Sequence, residues 1–109
     1  MNAAKRKGDR GELEVQALFQ DHLGVGRRAL GAGRKDDQGD IDGVVGLCVQ
    51  VANWQNVAQA VRHKPLEAEQ QKGNGTADHA CAFIRLRGGD WRVVMTPEQF
   101  FKLWREVIE

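Results

Sequence analysis

The sequence predicts one α/β domain, in which a mixed sheet of about five strands is flanked by helices. Length is the first reason, since 109 residues can build one hydrophobic core and are too few for two ordinary ones. The second reason is periodicity, because short strand-like apolar segments lie between longer segments of helical spacing. The third is their order, which is helix, three strands, helix, two strands, helix. We therefore expect residues 1–109 to fold as a single unit.

Composition excludes several classes of protein. A hydrophobic content of 41% and a charged content of 28% are typical of a folded globular chain. No apolar run approaches the ~20 residues that a membrane span needs, so we expect no membrane association. The opening MNAAKRKGDRGE has no apolar segment after its basic residues, which favours a cytoplasmic location. Cys48 and Cys81 lack companion ligands at metal spacing, and we expect buried thiols.

The first helix is predicted over residues 9–23, with Asp9 as its cap and Gly24 as its stop. Its apolar face consists of Val15, Leu18, Phe19 and Leu23. Glu12 falls inside that face, whereas Glu14 points the other way. Because a buried carboxylate is costly unless a partner offsets it, Glu12 is the acid that calls for an explanation.

Three strands are predicted next. Residues 25–31 can form a short first strand, followed by the glycine-rich loop GAGRKDDQG. DIDGVV and LCVQVAN follow as two strands joined at a glycine. In the last of these, Gln50 shares a face with Ala52, and a hairpin can bring Asp40 beside Gln50.

The second half of the chain predicts a helix, a strand pair and a final helix. Residues 55–72 look helical, but Pro65 is expected to kink or split that helix. HACAFIRLR and DWRVVM are predicted strands, and TPEQFFKLWREVIE is the final helix, with Thr96 as its cap. The phase of Trp104 points inward, so we expect it in the core, while Trp54 is a candidate for a DNA surface or a dimer interface.

Three of these residues make a candidate metal site. Glu12 on a helix, Asp40 at a strand start and Gln50 within the next strand offer oxygen ligands suited to Mg²⁺. Magnesium in such a site polarises a phosphoryl oxygen and acidifies a water that attacks phosphorus. In the alternative interpretation, Glu12 lies at the edge of an amphipathic helix, Asp40 forms a turn and Gln50 is a polar residue of an edge strand.

The segments KGDRGELE, GDIDG and LCVQVAN together resemble the metal-dependent PD-(D/E)XK nucleases, most closely the archaeal and phage-type Holliday junction resolvases. The resemblance covers nearly the whole chain. Lys7 and Gly8 match the family's opening, and DWRVVMTPEQF matches its closing strand and helix. The matched catalytic positions, namely helix acid, strand acid, second acid and lysine, are Glu12, Asp40, Gln50 and Ala52. The resemblance implies a restriction-endonuclease-like fold with three layers.

The resemblance also implies a function. The expected activity is structure-selective cleavage of DNA, such as a four-way junction, by a homodimer in a bacterial or phage-infected cell. Mg²⁺ or Mn²⁺ would be held by Glu12 and Asp40, with Gln50 completing the ligand set, and a metal-activated water would hydrolyse the phosphodiester. Basic residues near the site would bind phosphates, and these candidates are Arg6, Lys7, Arg10, Arg28, Arg34 and Lys35.

Two positions depart from the family pattern. Gln50 replaces an acid, which should lower the affinity for metal, and Ala52 replaces the lysine that stabilises charge on the phosphate. We expect lysine as the native residue at position 52, changed deliberately to alanine. Alternatively, the protein is a noncatalytic DNA-binding protein on a degenerate nuclease fold, or another cation has taken over the role. Lys64 is the first candidate for that cation and Lys35 the second.

Overall fold

The computed structural model describes residues 3–29 and 39–109, and these form three helices and five strands in the predicted order. The α/β class is therefore confirmed. The elements are α1 (Ala3–Leu23), β1 (Arg27–Arg28), β2 (Ile41–Asp42), β3 (Leu47–Ala52), α2 (Val57–Lys72), β4 (His79–Arg85), β5 (Trp91–Val94) and α3 (Pro97–Ile108). No helix of the described residues is long and apolar enough to cross a membrane.

The five strands do not form the single mixed sheet that the sequence predicted. In the described residues, β3, β4 and β5 make one mixed sheet, and β1 and β2 make a separate antiparallel pair. Strands β3 and β4 are parallel, with α2 as the crossover between them, and β5 is antiparallel to β4. The physical reason for the division lies at Asp40. Its backbone N–H bonds to the carbonyl of Val49 at 2.7 Å, but its side chain, rather than a strand carbonyl, accepts the next N–H of β3.

Helix α1 begins at Ala3, so the predicted start at residue 9 is wrong. Asp9 lies inside the helix and bonds to side chains instead of capping the backbone. Its carboxylate accepts a hydrogen bond from Lys5 at 3.1 Å and also pairs with Arg28. The hydrogen bond from Lys5 is the largest cause that lowers the pKa of Asp9 below its ordinary value.

The prediction was that Pro65 kinks or splits this helix, and α2 runs through Pro65 without a split. Pro65 is buried, and the flanking residues Leu66, Glu67 and Ala68 have high intrinsic helix propensity. These contributions offset the backbone hydrogen bond that proline cannot donate. The unbroken helix places Lys64 and Gln71 two turns apart on the same face.

The sheet packs different residues on its two faces. On the α1 side the buried cluster consists of Val15, Phe19, Ile41, Val49, Val51 and Cys81. On the α2 side the buried residues are mostly small, namely Cys48, Ala52, Ala60, Ala68, Ala80, Ala82 and Ile84. Both thiols are buried as predicted, and burial raises the pKa of the Cys81 thiol to about 12. Small side chains let α2 lie close against β3 and β4, which brings the polar residues of α2 within reach of β3.

Helix α3 begins as predicted, because the Thr96 hydroxyl accepts a hydrogen bond from the backbone N–H of Gln99 at 3.1 Å. The expectation that Trp104 is buried is wrong, since 51% of this residue is exposed. The reason is that α3 contacts the sheet through polar residues. Gln99 is buried, and its side-chain oxygen accepts a hydrogen bond from the N–H of Ala80 at 2.9 Å.

Candidate active site

Asp40 is held against β3 by its own backbone and by the glycine before it. Gly39 has a φ of +111°, and a Cβ at this position would lie only 2.8 Å from the carbonyl oxygen of Val49. Only glycine lets the chain pass here, both because of the backbone conformation and because of the close approach. The Asp40 carboxylate then accepts a hydrogen bond from the N–H of Val51 at 2.8 Å. The carboxylate is thereby placed beside the β3 backbone, next to Gln50.

Gln50 is 2% exposed, and α2 supplies a partner for each end of its amide. Its Nε2 donates a hydrogen bond to the side-chain oxygen of Gln71. Its Oε1 accepts a hydrogen bond from Nζ of Lys64 at 3.3 Å. A buried amide with both ends bonded has one fixed orientation, so the oxygen of Gln50 is directed toward the ammonium group of Lys64.

Lys64 is itself held in place by two further contacts. Its ammonium lies 2.9 Å from the Glu67 carboxylate and 5.2 Å from the centroid of the Trp54 ring. The second distance is within the range of a cation–π interaction. The side chain of Lys64 is 15% exposed, so the charge sits at the edge of the protein surface rather than in bulk water. Of the two lysines considered as substitutes, Lys64 is thus joined to Gln50, while Lys35 lies outside the described residues.

Ala52 faces α2 from the same side of β3 as Gln50. It is 1% exposed and belongs to a cluster with Ala60, Ala82 and Ile84. Because α2 lies close at Ala60, a longer side chain at position 52 has to displace the helix or turn toward the end of the strand. The cation that contacts Gln50 on this face is therefore carried by α2, not by β3.

Glu12 lies on α1, which packs on the opposite face of β3 from α2 and the Gln50 side chain, and it is paired with a cation. Nε of Arg28 donates a hydrogen bond to Glu12 at 2.7 Å, and the same guanidinium also pairs with Asp9. The hydrogen bond with Glu12 is the largest cause that raises the pKa of Arg28. The backbone N–H of Arg28 bonds to the Gln16 side chain at 2.8 Å, which fixes β1 against α1. Glu12 therefore faces β1, with its charge offset by Arg28.

Glu14 has a structural role that helical periodicity did not show. Its carboxylate accepts hydrogen bonds from the indole N–H of Trp91 at 3.1 Å and from Nε of Arg85 at 3.2 Å. The buried stripe of α1 is Gly11, Val15 and Phe19, so Glu12 and Glu14 flank it on opposite sides. Which flank faces β1 and which faces β5 depends on how the helix crosses the sheet. The sequence carries no signal for that crossing.

The predicted phosphate-binding residues fall into four groups. Arg6 and Arg10 are exposed on α1, as the prediction requires. Lys7 is half-buried, and its carbonyl accepts a hydrogen bond from the Asn53 side chain at 3.0 Å, which brings this end of α1 to the end of β3. The guanidinium of Arg28 is engaged by acids. Arg34 and Lys35 lie outside the residues that the structure describes.

The predicted ligands offer oxygen donors of the kinds that magnesium takes in proteins. Asp40 provides a carboxylate beside the N–H of Val51 and Gln50 provides an amide oxygen directed toward Lys64, and Mg²⁺ in proteins often takes one or two carboxylates and several waters. Lys64 on Gln50 and Arg28 on Glu12 compete with such an ion for the same oxygens. Within residues 3–29 and 39–109, no group of three or more His, Cys, Asp or Glu is arranged to hold a metal.

Gln71 is the site residue that the sequence analysis missed. Its position seven residues after Lys64 puts both on one face of α2, and that spacing was a readable signal.

Comparison with models of protein families, with curated proteins and with solved structures finds no match to this chain.

Proposed function

We propose that this protein is a structure-selective DNA endonuclease of the Holliday junction resolvase type, which uses Mg²⁺ or Mn²⁺. The observation that carries the proposal is the 3.3 Å contact between Nζ of Lys64 and Oε1 of Gln50. This contact brings the ammonium group of α2 to Gln50, the position where the resemblance expects an acid. The lysine that the resemblance expects is at position 52 of the same strand. The missing lysine of position 52 would then be supplied by Lys64 from the neighbouring helix.

The proposal extends to the fold. We infer that the β1–β2 pair and the sheet of β3, β4 and β5 act together as a restriction-endonuclease-like core. Support comes from the hydrogen bond that joins Asp40 to Val49 and from the Asp40 carboxylate on the N–H of Val51, because both link the residue just before β2 to β3. With α1 on one face and α2 on the other, such a core has three layers.

Each residue has a chemical role in this proposal. Asp40, Gln50 and Glu12 would hold the metal ion, which supplies Lewis acidity and an acidified water when it is bound. Lys64 would stabilise the negative charge that develops on the phosphate, and Trp54 and Glu67 hold its ammonium in position. Arg6 and Arg10 would attract the DNA backbone, an interaction that weakens as salt rises.

A second candidate is a noncatalytic DNA-binding protein on the same fold. It is favoured by the charge of the site, because Gln50 is neutral and Arg28 offsets the charge of Glu12. Proposed ligands with so little net negative charge bind a divalent cation weakly, whereas the basic residues of α1 still attract phosphates. Binding to a four-way junction without cleavage is the outcome that this candidate predicts.

The test is cleavage of a labelled four-way junction and of a matched linear duplex, in Mg²⁺ and then in Mn²⁺. We expect the wild-type chain to cut the junction in preference to the duplex. Lys64→Ala should lower the cleavage rate about 100-fold, because it removes charge stabilisation in the transition state. Lys64→Arg should keep part of the activity. Lys72→Ala is the matched control, since Lys72 lies on the same helix and pairs with Glu69 at 2.7 Å.

Asp40→Asn in the same preparation controls for a contaminating nuclease, because it should abolish cutting by this protein only. Cleavage that survives both Lys64→Ala and Asp40→Asn would refute the assignment of the site. If the wild-type chain binds the junction and cuts nothing in either metal, the enzyme proposal fails and the binding role replaces it.

A further inference from the structure

Helix α3 is attached to the rest of the protein through its polar side. Gln99 is 3% exposed and bonds to the N–H of Ala80, and the same side chain contacts the ring of His79 at 2.7 Å. Glu106 also bonds to His79, and Lys102 donates a hydrogen bond to the carbonyl of Asp78 at 2.7 Å. A helix on a globular protein normally turns its apolar stripe inward. The orientation of α3 is the reverse, so its apolar side faces outward.

The outward side of α3 is a continuous apolar surface with an ordered arrangement of rings. Its members are between 47% and 69% exposed, and they are Phe100, Phe101, Trp104, Val107 and Ile108. The rings of Phe100 and Trp104 are stacked, with centroids 6.2 Å apart, and Phe101 meets Phe100 edge to face at 5.4 Å. Their mutual contacts hold the rings in place before any partner binds, which lowers the entropy cost of covering them.

The area of this surface is at the upper end of what monomers expose, since the largest apolar patch on a typical monomer is about 300–600 Å². Side chains of this size, about half exposed, leave on the order of 600 Å² of apolar surface. A typical stable interface buries about 800 Å² per partner. An apolar groove of about 360 Å³ continues the surface past Leu103 toward Val93 and Met95 on the sheet side. The helix face alone therefore offers most of the area that a stable dimer needs.

We propose that a second copy of this chain covers the surface, with the two α3 helices packed antiparallel about a two-fold axis. The charges along one edge of the apolar face select this partner. Helical spacing places Glu98 and Arg105 on the same edge, seven residues apart. A two-fold axis between Phe101 and Lys102 brings Glu98 of each copy opposite Arg105 of the other. The face is thus complementary to itself, as a symmetric interface requires.

The test is sedimentation velocity of the full chain without DNA, over protein concentrations from about 1 to 300 µM. We expect a monomer–dimer equilibrium. Glu98→Arg or Arg105→Glu alone should weaken the dimer about 10-fold, because the two-fold axis turns two attractive pairs into two repulsive ones. The double variant Glu98→Arg/Arg105→Glu should recover to within about 3-fold of wild type, since the pairs are re-formed with opposite sign.

Two further variants keep the result interpretable. Trp104→Glu should abolish the dimer by placing a charge in the centre of the apolar face, and Arg62→Glu on α2 should leave it unchanged. Circular dichroism on each variant checks that α3 still forms; if reversing the charge at Glu98 frayed the helix, the double variant would remain defective. A wild-type chain that stays monomeric throughout, or a double variant no better than the single ones, overturns the proposal. Because no DNA is present, these outcomes are independent of the proposed nuclease activity.

Discussion

The surroundings of Ala52 show whether alanine or lysine suits position 52. They are either apolar throughout, as alanine requires, or able to accommodate an amine, as lysine requires. Ala52 is 1% exposed among Ala60, Ala82 and Ile84. The matched pair Ala52→Met and Ala52→Lys separates the two possibilities, since the side chains are similar in length and only lysine is charged. We expect Met to lower the free energy of unfolding by about 1–3 kcal/mol through overpacking. Lysine should cost about 1 kcal/mol more, because its ammonium must be desolvated or must turn outward.

Urea unfolding at neutral pH measures both values. A lysine variant as stable as the methionine variant would contradict the expectation. It would indicate a polar niche beside position 52 and would support lysine as the ancestral or native residue there. In that case, the contact between Lys64 and Gln50 would be a consequence of losing the lysine from position 52 rather than a replacement for it.

Several residues of the candidate site could be predicted from the sequence, but the partners that some of them contact could not. Asp40 and Gln50 were predictable from strand alternation, and Lys64 was predictable as a cation on the face of α2. The pairing of Glu12 with Arg28 was not, because the two are 16 residues apart and meet only through the way β1 lies against α1. Periodicity assigns a residue to a face of its own element but does not identify the element opposite.

At the scale of the element, the close approach of α1 to the end of β3 depends on Gly11. A Cβ at this position would lie 2.9 Å from Cβ of Asn53, whereas one at Gly8 would have no atom within 4 Å. The same substitution should therefore have opposite effects in the same helix. We expect Gly8→Ala to stabilise the protein by about 0.5–1 kcal/mol through helix propensity. Gly11→Ala should destabilise it by about 1–3 kcal/mol, because α1 must move away from β3.

Thermal and urea unfolding of the two variants provide the comparison. Equal stabilisation by both alanines would show that α1 does not approach β3 as closely as the distance to Asn53 indicates. Since the Asn53 side chain also bonds to the carbonyl of Lys7, Gly11→Ala should in addition shift the basic end of α1 relative to β3. The matched Gly8 variant leaves that contact intact.

The order and type of the elements followed from the sequence, but some of their bounds did not. The cap at Thr96 was predicted correctly, because a hydroxyl followed by proline at the first helical position has few alternatives. Asp9 has the chemistry of a cap but is used in ion pairs with Lys5 and Arg28, so α1 continues toward the N-terminus to Ala3. Pro65 was expected to kink or split α2, but the helix continues through it with the proline buried.

At the scale of the whole molecule, the predicted five-stranded sheet divides where side chains replace backbone pairing. The carboxylate of Asp40 takes the N–H of Val51, which an additional strand residue would otherwise have bonded. A sequence pattern shows that β2 and β3 are neighbours but not that a side chain occupies part of the ladder. The outward apolar face of α3 was likewise misread, because periodicity identifies an apolar face but not the direction in which it points.

The crossover from β3 through α2 to β4 gives the molecule two tiers of protection against hydrogen exchange. The contiguous segment 47–85 contains the parallel strand pair and the helix that covers it, while β1 and β2 are two residues each. Amides within that segment should exchange only by global unfolding, and those of β1, β2 and the first turns of α1 by local opening. Gln50 and Lys64 belong to the slow tier and Asp40 to the fast one, whereas Glu12 lies in the middle of α1, beyond the turns that open locally.

Hydrogen–deuterium exchange followed by mass spectrometry measures this division directly. Slowing on addition of Mg²⁺ or a four-way junction should be concentrated in β2 and α1, because those parts have the most opening left to suppress. Uniform protection along the chain would contradict the two tiers. The part of the candidate site on β3 and α2 should then persist as long as the protein is folded. Asp40 should be in position only while the short strand β2 is formed.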